Sequence, residues 1–189
     1  MNAKLRELIE IEKQIYFKDK MVGFDHKFRR SLNYEIYKFV LLLRKYEYCC
    51  TKRDQSKKLI INKFWVACVK VYDRLKNKQG MQIGIEVTPG CTGKGLRICH
   101  QNVIINGYVG EFCTFHGNNV IGNKRTGDAT AVPVIGNHVD IGVGAMVIGN
   151  VEIADNCIIG AGSVVTKSFT TPGTVIAGVP AREIRSEKE

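Results

Sequence analysis

Histidine takes up and releases a proton near neutral pH, so the four histidines of this 189-residue chain are the first candidates for chemistry. His26 lies among the basic residues of the first half, whereas His100, His116 and His138 lie in a second half rich in glycine, valine and isoleucine. These three are 16 and 22 positions apart, with no close pair, which fits a three-histidine zinc site poorly. No metal is expected. The seven cysteines are an odd number, and Cys49-Cys50 are adjacent rather than spaced as a metal or redox pair. Cys91, Cys99, Cys113 and Cys157 stand where small apolar residues belong, so reduced thiols are expected.

The elements that would position the histidines follow from a repeat. From Ile135 an aliphatic residue recurs every six positions, at Ile141, Val147, Ile153, Ile159 and Val165. Four positions after each comes Val139, Ala145, Val151, Cys157, Ser163 or Phe169, all small but the last. The second residue stands two before the next aliphatic one, so the two share a face of a short strand while Asp140, between them, faces out. Gly142-Val143-Gly144, Ala154-Asp155-Asn156 and Gly160-Ala161-Gly162 supply corners that tolerate positive φ. Three strand-and-corner units close a triangular coil of 18 residues, and stacked coils bury an aliphatic column.

Upstream the pattern loosens to Ile98, Ile104, Val109, Phe115 and Ile121, with one interval of five. From Ile121 to Ile135 is 14 positions, so about eight residues within 124–133 are expected to bulge out as a loop. Counting corners puts His100 and His116 on one edge of adjacent coils, followed by Gly142 to Ala145 and Gly160 to Ser163 on the next two. With about 4.8 Å per layer, the four corners make a groove about 14 Å tall, and His138 falls to a different corner.

Residues 1–80 read as a helical region, with candidate helices in Lys4 to Ile15, Tyr34 to Tyr48 and Leu59 to Leu75 and no proline. Seventeen of the 19 glycines lie from Gly84 onward, so a boundary is expected at 78–83, with the strand half occupying 81–189. The formal charge of +10 is concentrated in the helical region: residues 1–80 hold 20 Lys+Arg and 9 Asp+Glu, residues 81–189 hold 8 and 9. A basic helical cap packs on its own β-helix or on sister subunits, with peripheral contact to an anionic membrane as the alternative. No nucleic-acid motif is present. No apolar run approaches the roughly 18 residues of a membrane span, and no secretory leader is recognisable, so the reading is cytoplasmic.

Gly84-Ile-Glu-Val with Pro89, Lys94-Gly-Leu-Arg-Ile-Cys-His100, Ile141-Gly-Val-Gly-Ala145, Ile159-Gly-Ala-Gly-Ser-Val-Val-Thr-Lys167 and Ala177-Gly-Val-Pro-Ala-Arg182 resemble the serine acetyltransferases and related sugar and polysaccharide O-acetyltransferases. The resemblance covers about 100 residues, Gly84 to Arg182. It implies an all-β left-handed parallel β-helix behind an N-terminal α-helical region, a homotrimer, and acetyl-CoA as co-substrate. It also implies His100 as the general base with Glu86, where the family has Asp, as its acidic partner. His116 would neighbour the substrate, Gly144, Ala145, Ala161 and Gly162 would let the cofactor approach the backbone, and Lys167 and Arg182 would hold its phosphates.

Two departures bear on the acceptor. The inserted loop lacks the Asp-Arg-His-Pro run of serine acetyltransferases, and Cys99, not Asp, precedes His100. The loop also lacks the histidine that galactoside acetyltransferases carry there. The expectation is therefore O-acetylation of a sugar or surface polysaccharide. Serine O-acetylation, with Arg125 holding the serine carboxylate, is the alternative, and a non-catalytic β-helical scaffold the reading from another class.

Overall fold

The structure, a computed structural model, describes residues 3–17, 31–125 and 131–186. It divides into two compact units, Met1–Ile83 and Gly84–Glu189. His26 and the centre of the 124–133 loop lie outside the described residues.

The first unit holds helices α1 (Ala3–Tyr16), α2 (Leu32–Gln55) and α3 (Leu59–Ile83). Ser31 opens α2, its hydroxyl accepting from the Tyr34 amide at 3.3 Å, and Ile36, Phe39, Val40 and Leu43 bury one stripe at helical spacing. α2 outruns the expected Tyr34 to Tyr48 because nothing after Tyr48 breaks a helix before Ser56. Arg44, 3% exposed, meets Glu12 of α1 at 2.9 Å and Glu47 at 3.2 Å. Burial opposes its charge, but the carboxylates of Glu47 and Glu12 outweigh burial and raise its pKa. Between α2 and α3, Gln79 donates to the Glu35 carboxylate at 2.8 Å, and Tyr48 meets Trp65 edge-on. Gly80 is buried inside α3, so the change of texture there does not end the helix. Gly84 follows it with φ +65°, a left-handed residue at which a Cβ would run into the Asn102 side chain. No described helix is long and apolar enough to cross a membrane.

The second unit is a three-sided prism of stacked coils. One face stacks β1 (Ile85–Val87), β3 (Val103–Ile105), β6 (Val120–Gly122), β9 (Met146–Ile148) and β12 (Val164–Val165). A second stacks β4 (Tyr108–Val109), β7 (Val134–Ile135) and β10 (Glu152–Ile153). The third stacks β2 (Arg97–Ile98), β5 (Thr114–Phe115), β8 (Asp140–Ile141), β11 (Ile158–Ile159) and β13 (Thr174–Gly178), and ends on β14 (Ala181–Ser186), which returns antiparallel to β13. The other pairings are parallel, and Ile98, Phe115, Ile141, Ile159 and Ile176 form a column, each 0% exposed.

A regular coil pairs residues 18 apart, as in Ile141 with Ile159, upstream pairings close in 17 for Ile98 with Phe115 and 16 for Ile105 with Ile121, and Val109 pairs with Ile135, 26 positions on. The difference, 26 less 18, is the length of the excursion between β6 and β7. The upstream register differs from the expected one at Ile104, which is 41% exposed, while Val103 and Ile105 face in. From inward Ile98 to inward Ile105 is seven residues rather than six, so the first coil carries an extra corner residue beside His100. Side chains alternate every residue in a strand, so that single insertion turns Ile104 outward.

Candidate active site

Three properties of one prism edge set the site: which residues turn the corner, what lies over them, and what ties successive corners. The edge joins the third face to the first, and on successive coils it is formed by residues 99–102, 116–119, 142–145 and 160–163. Asn102, Asn118, Gly144 and Gly162 take the positive φ that each corner needs. His100 and His116 therefore lie on the same edge of adjacent coils, but not in register. His116 is in line with Cys99, because Arg97 pairs with Thr114 and Ile98 with Phe115, and His100 sits over Gly117. A Cβ on Gly117 would fall 2.6 Å from the Cβ of His100, so a side chain there would displace the histidine. His100 is exposed, and no hydrogen bond or ion pair joins it to Glu86 within the chain among the described residues. Glu86 stands on the outward side of β1, in register with Ile104.

His116 has the partner that the sequence did not disclose. Its Nε2 lies 2.8 Å from Oδ1 of Asp140, on the outward side of β8 one coil along. Asp140 was legible as outward-facing, but the diagonal contact depends on the register of two coils 26 residues apart. Asn119 was also missed. It is 0% exposed, accepts from the Gly117 amide at 2.9 Å, and donates to the carbonyls of Gly142 and Ala145 at 2.7 and 3.2 Å. It thereby ties the histidine corner to the first glycine corner. Asn119→Ala would take the acceptor from the buried Gly117 amide and one donor from each of the two carbonyls, at a cost of about 1–3 kcal/mol in urea unfolding. A change below roughly 0.5 kcal/mol would mean that water replaces the amide.

Gly144 and Gly162 leave bare backbone on this edge: a Cβ on Gly144 would meet only Gly162, at 3.9 Å, and one on Gly162 nothing within 4 Å. Ala161 is exposed beside them. Ala145 is different, since its methyl is 0% exposed inside the coil and only its backbone borders the edge. Arg182 pairs with Ala177, itself in line with Gly160, and so stands at the far end of the same edge. Lys167 does not. It follows β12 at the corner between the first and second faces, 5.3 Å over the Phe169 ring, beside a depression of about 270 Å³. Arg125 follows β6 at that same corner, where Asn123 donates to its carbonyl at 2.7 Å. His138 lies at the remaining corner with φ +55°, stacked on Phe112 at 5.3 Å. Burial pushes the Cys113 thiol up to about 11.

The fold and this edge define a hexapeptide β-helix with a paired-histidine corner above bare glycine turns. The pattern of the family described as bacterial transferase hexapeptide (six repeats) matches residues 133–167, within the repeat half of the chain. Curated proteins similar to the chain include serine acetyltransferases. One from Synechococcus elongatus is 35% identical over 105 residues, 53% of this chain and 43% of the relative. One from Staphylococcus aureus is 37% identical over 111 residues, 55% of this chain and 50% of the relative. The chain spans about half the length of the curated relatives it matches. Among solved structures, serine acetyltransferase from Brucella abortus aligns with a TM-score of 0.72 at 20% identity, covering 99% of this chain and 71% of that one. The soybean apoenzyme aligns at 0.73 and 22%, covering 97% and 70%. These likenesses give the prism its left-handed sense, in a fold that has a helical region N-terminal to the β-helix in the chain.

The expectation of a sugar or polysaccharide acceptor is overturned by these relatives, which are serine acetyltransferases. The missing Asp-Arg-His-Pro run describes one loop, and a change of ligands there does not specify a different acceptor.

Proposed function

We propose that the chain transfers the acetyl group of acetyl-CoA to the hydroxyl of serine. The observation that carries this reading is the 35–37% identity to serine acetyltransferases over the half of the chain whose edge presents His100 above the bare turns of Gly144 and Gly162.

In this reading His100, exposed at its corner, removes the proton from the serine hydroxyl as it attacks the thioester carbon, and Glu86 orients the imidazole. Backbone amides stabilise the oxyanion. The pantetheine arm lies along Gly144, Ala161, Gly162 and the backbone of Ala145, with Arg182 at the end of that track. Arg125 takes the serine carboxylate and Lys167 a cofactor phosphate.

Arg125 and Lys167 stand at one corner of the prism, and His100, His116, Gly144, Gly162 and Arg182 at another. A complete site is then built between the histidine edge of one subunit and the other edge of the next, which a homotrimer supplies three times. The separation of the two residue sets within a single prism supports that assembly.

The test is thiol release from acetyl-CoA by the full chain, offered serine, other hydroxy amino acids and simple sugars in parallel. Turnover on serine well above the sugars and above the rate without acceptor is expected. Equal rates with and without serine, at saturating acetyl-CoA, would overturn the assignment.

A further inference from the structure

We propose that His116, held by Asp140, is the general acid that protonates the departing CoA sulfur, so that two imidazoles on one edge divide the proton work; this rests on the acetyl-transfer reading above. Nε2 of His116 is engaged by Asp140 at 2.8 Å, which leaves Nδ1 to carry the transferable proton. Asp140 acts through His116 and is a positioning residue: its carboxylate holds Nε2 and so fixes the orientation of the ring.

The order of corners along the edge assigns the roles. His100 is on the first coil, His116 on the second, and the bare turns at Gly144 and Gly162 on the third and fourth. A pantetheine arm lying on the last two reaches the level of His116 before that of His100. The thioester sulfur and the attacking oxygen are bonded to the same carbon in the tetrahedral intermediate. Histidine-bearing coils about 4.8 Å apart can bracket that O–C–S unit, the base at oxygen and the acid at sulfur.

The step balances. The serine Oγ–H proton passes to His100 and the Oγ–C bond forms. On collapse the C–S bond breaks with its electron pair on sulfur, and the Nδ1 proton of His116 moves to that sulfur. The products are O-acetylserine and CoA thiol, and exchange with water resets both imidazoles. Among the described residues, the charged and titratable groups around His116 are Asp140, Cys99 in register on the preceding coil, His100 one residue beyond it, and Arg97 on the outward row that also holds Asp140.

The binding arm uses the full chain labelled with 15N-histidine, with His116→Asn assigning the resonance, titrated with CoA and with desulfo-CoA. The His116 signal should move with CoA and much less with desulfo-CoA. Equal responses to the two ligands would overturn the proposal. No change in any histidine with either ligand would overturn both it and the acetyl-transfer reading. If His116 distinguishes the ligands but serine is not turned over, the acceptor assignment fails and the sulfur contact stands.

The kinetic arm follows serine turnover against pH. His116→Gln should lower kcat about 10- to 100-fold, the low end for acid catalysis because a thiolate is already a fair leaving group, and should abolish the alkaline limb of the profile. Asp140→Asn should lower kcat with little change in the KM for either substrate, and Asp140→Glu should restore it. Survival of the wild-type limb in His116→Gln, or an effect of Asp140→Asn confined to KM, would overturn the assignment.

Discussion

His100→Ala is expected to lower kcat for acetyl transfer to serine by about 10²–10⁴-fold, the range removed with a general base. A serine hydroxyl is a poor nucleophile near neutral pH without a base, so little direct attack replaces the lost path. His100 is exposed and makes no hydrogen bond or ion pair among the described residues, so the variant should unfold at the wild-type urea midpoint and retain its affinity for CoA. Stopped-assay thiol release, with urea unfolding and CoA titration on the same sample, separates chemistry from folding. Wild-type turnover by this variant would move the base to another group, and His116 is the other imidazole on that edge.

Arg44→Met is expected to destabilise the helical unit by about 3–5 kcal/mol, because it breaks a buried ion pair from one side. The two side chains are 2% and 1% exposed, and both Nε and Nη2 of Arg44 lie 2.9 Å from Oε1 of Glu12. Removing the guanidinium leaves the Glu12 carboxylate in low dielectric without those contacts. At an m-value of about 2 kcal/mol per molar, the urea midpoint falls by roughly 2 M. The double variant Glu12→Met, Arg44→Met should recover much of the loss, since an apolar pair of similar volume replaces a buried ion pair at small cost. A loss below about 1 kcal/mol in the single variant would show that the pair behaves as a solvated one.

Much of the fold was legible in the sequence. Six aliphatic residues at a strict six-residue interval specify strands two or three residues long, because inward and outward side chains alternate locally and each corner declares itself with Gly, Asn or Asp. The helical half was legible for a related reason: apolar positions at helical spacing without proline leave no competing element, and the helices outran their expected ends only where no breaker stopped them. The same periodicity put His100 and His116 on one edge, above two glycine corners.

Tertiary structure decided what depends on lengths accumulated between coils. The pairing of Ile98 with Phe115 put Cys99 in line with His116 and His100 over Gly117, and one extra residue in that corner turned Ile104 outward. The excursion before β7 sets the second coil 26 residues from the third, and in that register Asp140 meets His116 and Asn119 binds two carbonyls of the following coil. Lys167 and Arg182 read alike in the chain as cations near its end, yet they stand on different corners of the prism. A repeat fixes which way a side chain points, because that alternation is local. Which side chains meet is fixed by the register of coils 16 to 26 residues apart, and no short period carries that information.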